Sequence, residues 1–207
     1  MTTQRILVWD APTRVFHWLQ AISFAGAYLT SESERYRDIH VAFGYILLGL
    51  VVFRLLWGFM GTRYARFSSF LFMPGEIIGY LLSLLKDKPR HYLGHNPAGS
   101  VSVWLLLSLG LLICVTGVMA LQDDASDAVI EMHGVATNIM LVVIALHLLG
   151  VLVSSIMHRE NLVRSMVTGF KFAKTDEGIR RGYNLLGAIM LAVAVLFWFV
   201  FLRSTVG

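Results

Sequence analysis

The sequence predicts an all-α integral membrane protein, built as a four-helix transmembrane bundle followed by a fifth, C-terminal transmembrane helix. Three observations predict it. Of the 207 residues, 57% are hydrophobic and 14% charged, whereas soluble domains carry about a quarter charged residues. The apolar residues gather into runs long enough to cross a bilayer, which takes about 20 residues of helix. The basic residues collect in the segments between those runs, where they act as topology determinants. The net charge of +4 is thus spread over loops and makes no basic face for nucleic acid. The lone cysteine, Cys114, lies in an apolar run and offers neither a disulfide framework nor a thiolate metal site.

The chain opens MTTQRILVWDAPTRVFHW, polar and basic with Arg5 and Arg14, before a first span over about 15–30. A cleaved signal peptide is the rival reading. Against it, the run contains His17 and Gln20, and SESER follows without a small-x-small cleavage site. Trp9 and Trp18 suit the interfacial aromatic belt. A short mixed loop, 31–38, leads to the second span, about 39–60, with His40 at its start, Gly44 one turn later and Arg54 deep inside.

Residues 61–98 form the longest interspan segment. Its apolar piece, Ile77–Leu85, is too short to span before Lys86. With Pro74, Gly75 and Glu76 to start it, this piece reads as an amphipathic helix lying in the interface. Arg63, Arg66, Lys86, Lys88 and Arg90 make the segment basic, and His91 and His95 fall outside any span. The third span, about 99–121, has no histidine, and the acidic loop QDDASDAVIE follows. The fourth span, about 132–157, carries His133 and His147. After it come His158, Arg159, Arg164, Lys171, Lys174, Arg180 and Arg181, then the fifth span, about 183–202. The positive-inside rule puts the two basic segments and the N-terminus in the cytoplasm, and the C-terminus outside.

Ionisable side chains at membrane depth are costly and default to function. His133 and His147 are fourteen positions apart, hence about 40° apart around a helix and roughly 21 Å along it. The predicted topology sorts four histidines by depth into an outer pair, His40 with His133, and an inner pair, His17 with His147. Each pair comes from two helices. Two imidazoles facing each other suit the axial positions of a haem iron, and filling both favours electron transfer over oxygen chemistry. Two such haems at different depths would carry electrons across the bilayer. Arg54 lies on the His40 face at the level of the inner pair. It reads as a partner for a haem propionate or as a side chain snorkelling to headgroups. His158 reads as interfacial, and His91 and His95 as loop residues or as quinone or proton contacts. Gly44, Gly110, Gly117, Gly134 and Gly150 read as close-packing positions, with Gly44 and Gly134 beside the outer pair.

The segments VWDAPTRVFHW, HVAFGYILLGLVVFRLLWGFMGTRYARF, GHNPAG and HRENLVRSMVTGFK resemble the bacterial cytochrome b561 family, which includes the b-type cytochrome subunit of nickel–iron hydrogenases. The resemblance covers about 6–175 and leaves the span at 183–202 beyond the family's four-helix core. It implies two b haems, with ligands falling on His17, His40, His133 and His147, and electron exchange with the quinone pool. It also implies a multi-pass protein of the bacterial inner membrane, in which the topology predicted above makes the C-terminus periplasmic. No iron–sulfur cysteine set or C-x-x-C-H haem motif occurs, so a separate redox protein is expected, such as a periplasmic cytochrome c. A hydrogenase- or dehydrogenase-anchoring subunit is the alternative. A transporter using the histidines for metal or protons is the rival of another class. It would favour a midplane site between broken helices, and these spans lack internal proline.

Overall fold

The computed structural model describes residues 4–84, 90–173 and 177–206. Lys86, Lys88, Lys174 and the last residue of the expected Ile77–Leu85 helix lie outside the described residues. Long helices dominate: α1 (Ala11–Thr30), α2 (Arg37–Met60), α4 (Pro97–Ala120), α5 (Asp127–His158) and α7 (Asn184–Val206). Shorter ones are α3 (Pro74–Leu84) and α6 (Leu162–Thr168), and two short strands, β1 (Gln4–Leu7) and β2 (Phe170–Ala173), complete the order.

Among the described residues, four segments are long and apolar enough to cross a membrane: Glu34–Met60, Pro97–Ala120, Asp127–His158 and Asn184–Thr205. The expected first span is a helix too, but it begins at Ala11, earlier than expected, and is more polar than those four. Arg14, His17, Gln20 and Ser23 punctuate it. Many large apolar side chains on the four spans are exposed, among them Leu148, Leu152 and Ile156 on α5 and Leu185, Val193 and Phe199 on α7. In water such surface would be an aggregation hazard; in lipid it is the proper exterior.

The chain divides into two compact units, to both of which α2, α4 and α5 contribute. The first comprises Met1–Asp10, Leu56–Ser108 and Asn138–Gly182. Here the strands, which the all-α expectation lacked, pair antiparallel with Gln4 opposite Ala173 and Leu7 opposite Phe170. Ile6, Val8 and Trp9 pack with Tyr64 and Ala173 beneath them. Gly169, in the left-handed region at φ 86°, ends α6, and its carbonyl accepts from the Val8 and Trp9 amides. Local sequence starts each helix here. Glu76 Oε2 accepts from the Met73 amide at 2.7 Å ahead of Pro74, as expected for a capping residue reaching back. Asn96 caps α4 by accepting from the Gly99 amide at 2.7 Å, with Pro97 in the first helical position. Asn161 does the same for α6 through the Arg164 amide.

The second unit comprises Ala11–Leu55, Leu109–Thr137 and Tyr183–Gly207. In it α1 packs along α7. It also closes on α2 at Gly26, where a Cβ would overlap the Phe43 ring. Phe43 in turn lies tilted against Trp198 of α7 with ring centroids 4.5 Å apart, and Leu47, Val51, Ile113 and Cys114 fill the interior.

Candidate functional site

Within the second unit, α2 brings His40 and α5 brings His133 face to face. Their ring centroids are 6.3 Å apart and the planes are steeply inclined. Each ring is held by its Nδ1. The Nδ1 of His40 lies 2.8 Å from the Ala27 carbonyl on α1, and that of His133 lies 3.0 Å from the Ile113 carbonyl on α4. A carbonyl oxygen can only accept, so both Nδ1 atoms carry the proton. In the neutral ring this leaves the lone pair on Nε2. That is the tautomer a metal-ligating histidine needs, fixed by the atom that orients the ring. Thr116 Oγ1, 3.1 Å from His133 Nδ1, steadies the same edge. Gly117 leaves room for the ring, since a Cβ there would stand 3.1 Å from His133 Cε1.

The spacing can be tested against a ligand set. A metal–imidazole bond of about 2 Å on each side, plus about 1 Å from nitrogen to ring centre, puts two trans imidazole centroids about 6 Å apart. The pair meets that value. A Cβ added at Gly44 or Gly134 would meet nothing within 4 Å, so neither glycine is demanded by packing of the chain on itself. Among the described residues no cluster of three or more His, Cys, Asp or Glu side chains could hold a bare metal ion. Paired imidazoles on a metal already seated in a macrocycle need no such cluster.

The matching of residues 8–169 to the prokaryotic cytochrome b561 family model decides the family. The chain belongs to it. This cytochrome b561 is a multi-pass membrane b-type cytochrome, and haem b is its cofactor. It is similar to the probable Ni/Fe-hydrogenase B-type cytochrome subunit of Rhizobium leguminosarum bv. viciae, with 26% identity over 220 residues covering 84% of this chain and 92% of that one. The Azotobacter vinelandii protein of the same name shows 25% identity over 83% of this chain and 90% of its own. The probable Ni/Fe-hydrogenase 1 B-type cytochrome subunit of Escherichia coli K12 shows 24% over 59% and 63%. No solved structure matches the chain.

The remaining candidates of this cytochrome b561 are placed as follows. His17 is on α1 in the second unit, half-buried, with its ring edge-on to Trp18. His147 is half-buried on α5 in the first unit. Arg54 of α2 is 3% exposed, so its guanidinium does not snorkel to headgroups. His95 is wedged between Trp9, at 4.9 Å between centroids, and Phe70, at 4.6 Å. An apolar cavity of about 350 Å³ opens beyond Phe70, lined by Phe72, Ile77 and Trp104, with Ser100 as its polar group.

Sequence reasoning passed over three side chains of the first unit. Asp10 is fully buried and accepts from Trp57 Nε1 at 3.1 Å and Thr62 Oγ1 at 2.6 Å. It ties the segment before α1 to the end of α2. Glu160 and Lys171 form a pair at 3.3 Å with the lysine 3% exposed, and His91 Nε2 donates to the same carboxylate oxygen at 3.1 Å. Burial alone would raise the Glu160 carboxyl, but the His91 hydrogen bond and the Lys171 charge outweigh it and hold it below the ordinary range. Burial likewise pushes the Lys171 ammonium down, and Glu160 only partly restores it.

Proposed function

We propose that this cytochrome passes electrons across the bacterial inner membrane between the quinone pool and a separate redox protein, using two b haems. The observation that carries the reading is the facing pair His40 and His133, anchored on carbonyls through Nδ1 and spaced for a metal between them. We assign that pair to an outer haem and His17 with His147 to an inner one, with Arg54 as the propionate partner of the inner haem. Haem supplies reversible one-electron chemistry when bound. The chain's own residues do the rest. Ala27 and Ile113 fix the imidazole tautomers, so that His40 and His133 would hold the haem iron from both sides and leave oxygen no open site. The apolar walls exclude water, and a buried guanidinium offsets anionic charge that would otherwise be stranded in a low dielectric. The basic interspan segments orient the N-terminus to the cytoplasm and the C-terminus to the periplasm, with α1 counted as a crossing.

Two partners are compatible with this frame: a periplasmic cytochrome c and the catalytic part of a hydrogenase or dehydrogenase. The second is favoured by one observation, the near full-length likeness to proteins named as hydrogenase B-type cytochrome subunits. A reduced-minus-oxidised spectrum with haem quantified per chain tests the core of the reading. Two b haems per chain are expected; one haem, or no b-type band, overturns it. Affinity purification of the tagged protein from its own membranes distinguishes the partners, because a hydrogenase anchor carries its catalytic subunits with it.

A further inference from the structure

The first unit holds a second group of titratable side chains, at the end of α5 and distant in sequence from the His40–His133 pair. His158 closes α5, Arg159 follows at φ 51° in the left-handed region, and Glu160 is turned back by its amide donating to the Ser155 carbonyl at 3.0 Å. A non-glycine residue in that region is uncommon, and such strain gathers at functional sites. The turn delivers Glu160 Oε2 to His91 and Lys171 and leaves His91 and His158 with ring centroids 5.2 Å apart. Arg159 is exposed, so the groups that face Glu160 are His91 from the segment before α4, His158 from α5 and Lys171 from β2.

Two features separate this group from an ordinary ion pair. Glu160 Oε1 is buried with no hydrogen-bond partner, although buried carboxylate oxygens are normally satisfied. His91, in contrast, is exposed, which gives the group an outlet to water. A third feature links it to electron transfer. His147 and His158 are eleven positions apart, hence about 20° apart around α5 and roughly 16 Å along it. The helix that carries the inner-pair histidine therefore carries His158 on the same face, three turns on.

Building on the quinone reading above, we propose that Glu160, with His91 and His158, is the proton-exchanging site for quinone chemistry at this end of the membrane. Oxidation of a quinol breaks two O–H bonds, gives up two electrons, one for each of the two haems proposed above, and releases two protons. Glu160 Oε1 takes one proton and an imidazole of the pair takes the other. Both leave to water by way of His91, and reduction of a quinone runs the same steps in reverse. Lys171 is a positioning residue. Its buried ammonium keeps the carboxylate ionised between turnovers, and so able to accept.

The test uses the full-length haem-loaded protein in detergent. A short-chain ubiquinol or menaquinol analogue is mixed with oxidised protein and haem reduction is followed from pH 5.5 to 8.5. Removing a proton acceptor should slow the step by about 100-fold in Glu160→Gln, with haem content and reduction by dithionite unchanged. Glu160→Gln alone strands Lys171, so the double variant Glu160→Gln/Lys171→Met is run beside it. A merely structural carboxylate predicts that the double variant recovers the wild-type rate and pH profile. The proposal predicts that it stays slow across the whole of that pH range. A readout independent of turnover is the infrared carboxyl band of Glu160, absent in the Gln variant, which should shift when the oxidised quinone analogue is added. Rates within twofold of wild type in both variants, or a band indifferent to quinone, overturn the assignment. Wild-type protein that dithionite reduces but no quinol reduces would overturn the quinone reading itself.

Discussion

The His40–His133 pair and the His91–His158 pair are built from the same side chain for opposite ends. The first two rings rest their Nδ1 atoms on backbone carbonyls, 2.8 and 3.0 Å away. A carbonyl cannot take the proton, so Nδ1 keeps it and the lone pair of the neutral ring falls on Nε2, at a fixed place. In the second pair, His91 meets the Glu160 carboxylate at 3.1 Å with the Lys171 ammonium on the same oxygen. A carboxylate can take a proton, so that group is able to change charge. Where histidine is anchored on main chain it is suited to hold a metal; where it is anchored on an acid it is suited to move a proton.

The harshest way to break the contrast is to remove a ring from the neutral pair. His133→Ala should lower haem from about two per chain to about one, measured by haem extraction, and His40→Ala should give the same remaining spectrum. Loss of both haems from either variant would mean that the centres depend on each other for assembly. Next in size is Glu160→Gln read as stability. A carboxyl held below its ordinary value contributes stability above the unfolded pKa of about 4.3. That contribution disappears as pH falls through the folded-state value. The variant should lose about 2 kcal/mol at pH 7, and its thermal midpoint should converge on wild type in strong acid. A gap that persists there would show that packing, not charge, is what Glu160 provides.

Smaller changes sharpen the neutral side. Gly117→Ala places a methyl 3.1 Å from His133 Cε1, closer than ordinary contact. One haem midpoint potential should shift while haem content holds and the other centre stays put. Thr116→Val removes a hydroxyl from the Nδ1 edge but leaves the Ile113 carbonyl. It should cost about 0.5 kcal/mol and move the same potential less than Gly117→Ala does.

The long apolar helices, and the meeting of His40 with His133, were legible in the sequence because apolar length and helical phase are local properties. A capping Asn96, a reaching Glu76 and a run ending in His158 can all be read from neighbouring letters. Asp10 could not be found that way. Its partners, Trp57 and Thr62, lie far along the chain, and a lone aspartate before a helix reads as a cap. Lys171 was misjudged for a related reason. In the string it is one more basic residue of a topology-setting loop, whereas pairing of β2 with β1 turns it inward onto Glu160. The strands escaped notice because four residues of mixed polarity carry no clear alternation. Their pairing joins the two ends of the first unit's sequence, which a reading by spans keeps apart. Even α1 was only half legible: its helix was foreseen, but not its start at Ala11.

α5 adds a constraint of a different kind, one of inheritance. Its histidines at 133, 147 and 158 share a face only because the intervals between them are close to whole numbers of turns. One residue inserted between two of them would swing everything downstream by about 100° and advance it by about 1.5 Å, turning a proposed ligand into a lipid-facing side chain. An insertion of seven would restore the face within about 20° but lengthen the interval by roughly 10 Å. The helix can therefore change its letters freely on the outer side, yet its length is quantised. In this protein, a frame-preserving deletion of a single codon in α5 would be a heavier lesion than many substitutions.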